Sequence, residues 1–425
     1  RRMTRSLNTT PAAIASAKSA VALPPGPAAS GTNAVGTSAA VLLLNAVVGA
    51  VGTRVKVPAE PDPRPAASYA EVQKLVDAMN AGNVAVLIVH DANPLYSLPA
   101  GSGFAQALAK VGTVVSLASL ADETSQAAHL VLPDHTPFES WGDAEPRRGV
   151  RSLVQPTITP LHDTKPIGDV LLGLGRALGA SVPAGDTRSI LEANWGPGFR
   201  NALAKGGTFG AGNAGGATVQ PGAAAAVGAP STLAGRGDYT LVAYPHSTIG
   251  DGSGATLPWM QEIPDSVTKL SWRSWAEVSK ATAAQLGVKF GDVIEVTTDT
   301  GTVSLSTYPR GGVRDDVVAI AVGQGHTVGH YASLAGDGQP GVARGVSVVS
   351  VLPASMDEQG GRAWLATKAS VRKTGAFQRI PLSQWTDDQY QRGIAKEVSL
   401  AALAGQGAGH HGGGHHEILV PYERA

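Results

Sequence analysis

The apolar residues of this chain change their spacing part-way along it, and that change limits the fold more than any other feature. Residues 69–81 (YAEVQKLVDAMNA) set Val72, Leu75, Val76 and Met79 at 3.6-residue spacing, which predicts an amphipathic helix stopped by Gly82-Asn83. The run 84–89 (VAVLIV) is continuous and rich in β-branched residues, so it reads as a strand buried on both faces. After the turn at His90-Asp91-Ala92-Asn93-Pro94 the signals repeat. A helix is expected over 103–111, a strand over 114–117, a short helix over 124–129 and a strand over 130–132 closed by Pro133. A helix over 166–178, with Pro166 in its first turn, follows. Strand–helix–strand spacing of this kind predicts right-handed crossovers and a parallel sheet.

From Tyr239 the period is two. Residues 239–244, 293–297 and 302–308 alternate, Asp299-Thr300-Gly301 marks a hairpin turn and 316–322 is a further strand. A closed barrel with one helix over 275–286 accounts for this half. Between the halves, 205–236 is nearly all Gly, Ala, Ser, Thr and Pro without a charge between its ends. Such a stretch buries too little apolar surface to offset its ordering entropy, so it reads as a linker. The expected organisation is an irregular segment 1–66, an α/β parallel-sheet domain 67–200, a linker 201–237, a mainly-β barrel domain 238–400 and a Gly/His connector 401–425.

Composition excludes several classes. The 33 Lys and Arg balance 33 Asp and Glu, so nothing favours a polyanionic backbone and no nucleic-acid partner is expected. The chain has no cysteine, which excludes disulfides, thiolate zinc sites and an iron–sulfur cluster held in the ordinary way. The most apolar run, 39–51 (AAVLLLNAVVGAV), falls short of the roughly 18–20 residues that cross a bilayer and reads as a buried helix. Arg1-Arg2-Met3 is not followed by the apolar stretch of a twin-arginine signal, and the chain stops soon after its His/Gly connector, so part of a longer polypeptide is expected.

Three stretches, in order, resemble the molybdopterin oxidoreductase superfamily. They are 87–99 (LIVHDANPLYSLP), 121–142 (ADETSQAAHLVLPDHTPFESWG) and 283–301 (AAQLGVKFGDVIEVTTDTG), the last followed by Gly323-Gln324-Gly325-His326-Thr327. Two others, 141–160 (WGDAEPRRGVRSLVQPTITP) and 257–272 (LPWMQEIPDSVTKLSW), resemble more narrowly the iron–sulfur/molybdopterin-like subunit of bacterial alternative complex III. That resemblance implies a scaffold in a quinol:acceptor oxidoreductase on the periplasmic side of the cytoplasmic membrane. Its companions would be a multihaem cytochrome c and quinol-oxidising membrane subunits. Iron–sulfur clusters would lie in a ferredoxin domain that this sequence lacks, haem c in the companions, and no cofactor or metal in this chain. The alternative is a catalytic molybdenum, bis-pterin subunit of the polysulfide or thiosulfate reductase kind.

The resemblance places Asp91, Asn93, Asp134 and Glu139 where the family holds nucleotide or pterin, and His326 in the loop that approaches the pterin. Read from the residues alone, the first four are turn-capping groups at strand ends and His326 a histidine hydrogen-bonded in a tight loop. His330 would share a metal with His326 only on a helix, which Gly329 opposes. His410, His411, His415 and His416 form a cluster without preorganised geometry. Arg147, Arg148 and Arg151, close to Glu139, Asp143 and Glu145, read as a surface charge network, with subunit docking as the functional alternative. No nucleophilic triad or phosphate-binding glycine loop stands out, so no catalytic residue is expected.

Overall fold

The computed structural model describes residues 20–24, 31–58, 66–210, 214–215, 218–220, 222–229, 232–334, 341–363 and 365–383. The elements below lie within one compact unit, Ala22–Trp385. Helix α1 (Ala34–Val47) is followed by α2 (Tyr69–Asn80), whose first turn is closed by a capping box between Ser68 and Glu71. Next come β1 (Val86–His90), the short α3 (Pro94–Ser97), α4 (Phe104–Leu108), β2 (Thr113–Leu117), α5 (Glu123–Gln126) and β3 (Leu130–Val131). The three strands pair in parallel in the order β1-β2-β3, as the spacing predicts. Val76 and Met79 of α2, Phe104 and Leu108 of α4 and Val114 of β2 form the core on one side of this sheet. Val86, Ile88, Leu130 and Leu132 are left exposed.

A hairpin not anticipated from sequence, β4 (Gly142–Arg147) and β5 (Val150–Val154), carries the dense charges and pairs with β6 (Gly207–Phe209). Helices α6 (Ile167–Ala177), α7 (Thr187–Trp195) and α8 (Phe199–Lys205) lie between β5 and β6 in the chain. The stretch read as a linker is therefore partly built. It contributes β6 and a 3-10 turn, Ala223–Val227, that packs against α1.

The second half is the expected barrel. Its strands are β7 (Tyr239–Pro245), β8 (Trp275–Ser279), β9 (Asp292–Thr297), β10 (Thr302–Arg310), β11 (Val317–Val322) and β12 (Ala366–Phe377). Helices α9 (Pro258–Glu262) and α10 (Lys280–Leu286) precede and follow β8. The barrel closes in the order β8-β10-β9-β12-β7-β11, with Ala276 of β8 opposite Ile320 of β11. Leu241, Ile294, Val296, Val318 and Ile320 fill it.

Two expectations are corrected. The helix expected over 275–286 begins only at Lys280, with Ser279 as its N-cap, because Trp275–Ser279 is a fully buried strand between β10 and β11. The apolar run 39–51 lies largely in α1, but that helix is not buried: Leu42 is 51% and Val47 83% exposed, and only Asn45 is enclosed. Asn45 is held by the backbone of Ala22, donating to its carbonyl and accepting from its N–H, both at 2.8 Å.

Candidate functional site

The carboxyl ends of β1 and β2 meet the loop that leaves β11, and the group at their junction is Glu123. It opens α5, where Asp122 caps the helix by accepting from Ser125 N–H at 2.6 Å. From there the Glu123 carboxylate reaches two segments. Oε2 accepts from Asn93 Nδ2 at 2.7 Å and pairs with His326 Nδ1 at 3.1 Å. Oε1 accepts from the backbone N–H of Thr327 at 2.7 Å and of Val328 at 3.3 Å. Burial alone would raise this carboxyl, but the bond and charge of His326, with Asn93 and Thr327, hold it at about 2.

The rest of the junction is equally engaged. Asn93 Oδ1 accepts from the Thr124 hydroxyl at 2.7 Å and from its N–H at 3.2 Å. Tyr96 stacks on His326 with ring centroids 3.6 Å apart and planes 15° apart, and its hydroxyl donates to the Gln324 carbonyl at 2.9 Å. Burial raises the Tyr96 phenol far above its ordinary value, so it stays protonated. Gly252 lies against this stack, and a Cβ there would come within 2.6 Å of Tyr96 and 2.7 Å of His326 Nε2. Gly325, at φ +91°, lets the β11 loop press on residues 346–347, where a Cβ would stand 2.0 Å from Ser347 N.

The structure thus brings together three residues expected from sequence: Asn93 and His326 on Glu123, and Asp91, at φ 46°, on the rim of the adjoining crevice. Asp134 is elsewhere on the same edge. It pairs with His90 Nε2 at 2.6 Å and accepts from the N–H groups of His135 and Ile167, joining the ends of β1, β3 and α6. Glu139 closes a turn by accepting from Thr136 and Leu161 N–H, bonds that hold its carboxyl below the usual range. Arg151 pairs with Asp143 at 3.3 Å and lies 4.0 Å over Trp195, whose indole donates to the same carboxylate at 3.1 Å. Among the described residues no cluster of three or more His, Asp or Glu has metal-binding geometry, and the cluster at 410–416 lies outside them. Sequence reasoning missed Glu123 and Tyr96. The run ADETSQ marks Glu123 only as a helix-start acid, and its partner His326 is 203 residues away.

Two crevices of about 280 and 290 Å³ open at this edge, just below the ~300–1,000 Å³ usual for small-molecule sites. Asp91, Asp122 and Asp251 line one and Glu123 the other; among the described residues no Lys or Arg lines either. A pterin dinucleotide carries an anionic pyrophosphate, which needs cationic forks or free N–H donors. Here the carboxylates repel it, and the N–H groups of Thr327 and Val328 are bonded to Glu123. His326 Nε2, buried without a partner, is the one open polar contact of the stack, and Gly252 covers it. The residues present do not fit the dinucleotide.

Residues 262–363, which include four barrel strands, match the family described as Molydopterin dinucleotide binding domain. That match stands against the expectation of no cofactor in this chain. The menaquinone reductase, molybdopterin-binding-like subunit, of Nitratidesulfovibrio vulgaris is 31% identical over 257 residues, 57% of this chain and 36% of that protein. The NADPH-Fe(3+) oxidoreductase subunit alpha of Geobacter sulfurreducens is 25% identical over 236 residues, 55% of this chain and 26% of that protein. The chain therefore spans well under half the length of these relatives. Among solved structures, acetylene hydratase from Pelobacter acetylenicus shares the fold, with a TM-score of 0.55 and 17% identity over 71% of this chain and 46% of that one. The chain has a molybdopterin-oxidoreductase-like fold, and its sequence matches support a place in that superfamily.

Proposed function

We propose that this chain is a non-catalytic scaffold subunit of a quinone-linked electron-transfer complex, of the alternative complex III kind, on the periplasmic side of a bacterial cytoplasmic membrane. The observation that carries this reading is the junction at Glu123. The loop after β11, inside the stretch that matches the dinucleotide-binding description, is here engaged by the chain's own Asn93, Tyr96 and Glu123, and carboxylates line the adjoining crevice. The relatives' names support the redox setting, one a menaquinone reductase subunit and the other an Fe(3+) oxidoreductase subunit. In this reading the chain carries no electron; it holds a ferredoxin domain, with its iron–sulfur clusters, near a multihaem cytochrome c and quinol-oxidising membrane subunits.

Isolation of the tagged chain from solubilised membranes tests it. Quinol:acceptor activity and c-type haem absorbance should co-elute with the chain, and the chain stripped of companions should have no activity. Turnover by the chain alone, or a monomer with no haem-bearing companion, would contradict the reading. The match over 262–363 favours a second reading, a catalytic molybdenum subunit of the polysulfide or thiosulfate reductase kind. It predicts stoichiometric metal and pterin.

A further inference from the structure

The loop between β7 and β8, residues 246–274, is tied by buried hydrogen bonds and carries an apolar surface. Asp265, buried at its centre, accepts from Thr268 N–H at 2.7 Å, Val267 N–H at 3.0 Å and the Ser247 hydroxyl at 2.7 Å. Leu270 is fully buried beside Trp275 and Ile380. Lys269 and Trp272 take φ of 62° and 68°, a left-handed backbone that a bulky residue adopts only where its surroundings enforce it. On this frame Trp259 is 78% exposed, and Leu257, Met260, Ile263 and Val267 of the same loop are exposed as well. Ordered apolar groups grouped in this way mark an interaction surface.

Two cations adjoin the patch. The Trp272 indole donates to Glu262 at 2.6 Å, which ties it to α9, and the Arg344 guanidinium lies 5.0 Å over the Trp272 ring. The segment bearing Arg344 is clasped to the one bearing Arg273, since Val346 N–H donates to Ser274 Oγ at 2.9 Å and Ser274 Oγ to the Val346 carbonyl at 3.1 Å. Among the described residues neither arginine forms an ion pair, and Arg344 Nε is buried without an acceptor. Glu262 is bonded to Trp272 and Asp265 to its own loop, so the patch leaves its guanidinium groups without a carboxylate.

We propose that this face of the loop docks a companion subunit, which seats an apolar segment on Trp259 and its neighbours and presents carboxylates to Arg273 and Arg344. Tryptophan, methionine and arginine are the residue types enriched in protein interface cores, and a guanidinium fork matches a carboxylate in shape as well as charge. Glu262, exposed within the patch, disfavours an anionic lipid surface. The inference rests on the scaffold reading and adds to it where a companion sits.

A photoreactive benzoyl-phenylalanine at position 259 of the full chain, in the complex isolated from membranes, tests this directly. The cross-link should map to a companion-subunit peptide with Asp or Glu beside apolar residues. Its yield should fall roughly tenfold in an Arg273→Glu background that keeps its unfolding midpoint. The same probe at Phe209, exposed on β6, should give a yield that Arg273→Glu does not alter. The change Trp259→Ala, at a side chain outside the core, should loosen the companion as salt rises. An intact complex whose probe at 259 yields only lipid adducts, only this chain or no product would overturn the inference and leave the scaffold reading standing. A chain isolated without companions would overturn both.

Discussion

Glu123 shows how one side chain joins distant parts of the chain. Its oxygens receive donors from the turns after β1 and β11, so this carboxylate joins the sheet edge to the barrel beside the Tyr96 contacts with Gln324 and His326. The junction requires the ionised form. The carboxyl lies at about 2 against an ordinary value of 4.5, so its contribution is complete above about pH 4.5 and is lost as pH falls towards 2. With its side chain 15% exposed, that contribution is on the order of 2 kcal/mol after allowance for solvent screening. Glu123→Gln should therefore unfold more readily at neutral pH, and the gap to the native chain should narrow as pH is lowered from 7 to 3. A gap that stays constant across that range, in thermal unfolding followed by circular dichroism, would contradict the assignment.

At the scale of elements, β8 illustrates both the physics and the reach of sequence reasoning. Glu277 points into a polar knot in the barrel wall, where it accepts from the Tyr244 hydroxyl, Trp275 Nε1 at 3.1 Å and Arg310 at 2.9 Å. Its side chain is 7% exposed and that of Arg310 26%. Glu277→Leu should cost about 3–5 kcal/mol by stranding a largely buried guanidinium, and adding Arg310→Met should recover most of that loss. Denaturant unfolding of the two variants decides it, and a double variant as unstable as the single one would contradict the pairing. The residues WAEVSKATAAQL invite a helical reading because Ala, Lys and Gln favour helix throughout. Pairing with β10 and β11 overrides that preference up to Ser279. The β4–β5 hairpin was illegible for a different reason: GDAEPRRGVRSLV has charges where an alternating strand would show apolar residues.

For the whole molecule, period and turn chemistry were enough to foresee a parallel sheet followed by a closed barrel, because each element there shows one apolar face or one apolar run. They were not enough to foresee the Glu123 junction, since hydrogen bonding between residues 203 positions apart leaves no local pattern. Asn93 and His326 were legible only through resemblance, and the structure joins them through Glu123. The parallel sheet leaves Val86, Ile88, Leu130 and Leu132 exposed, an unusual state for a sheet type normally covered on both faces. Most direct as a test of the account is quantification of molybdenum, tungsten and pterin per copy of this chain in the purified complex. The account predicts iron from companions but no molybdenum, tungsten or pterin above background. Near one molybdenum or tungsten per chain, with pterin, would contradict it and make the Glu123 junction a cofactor site.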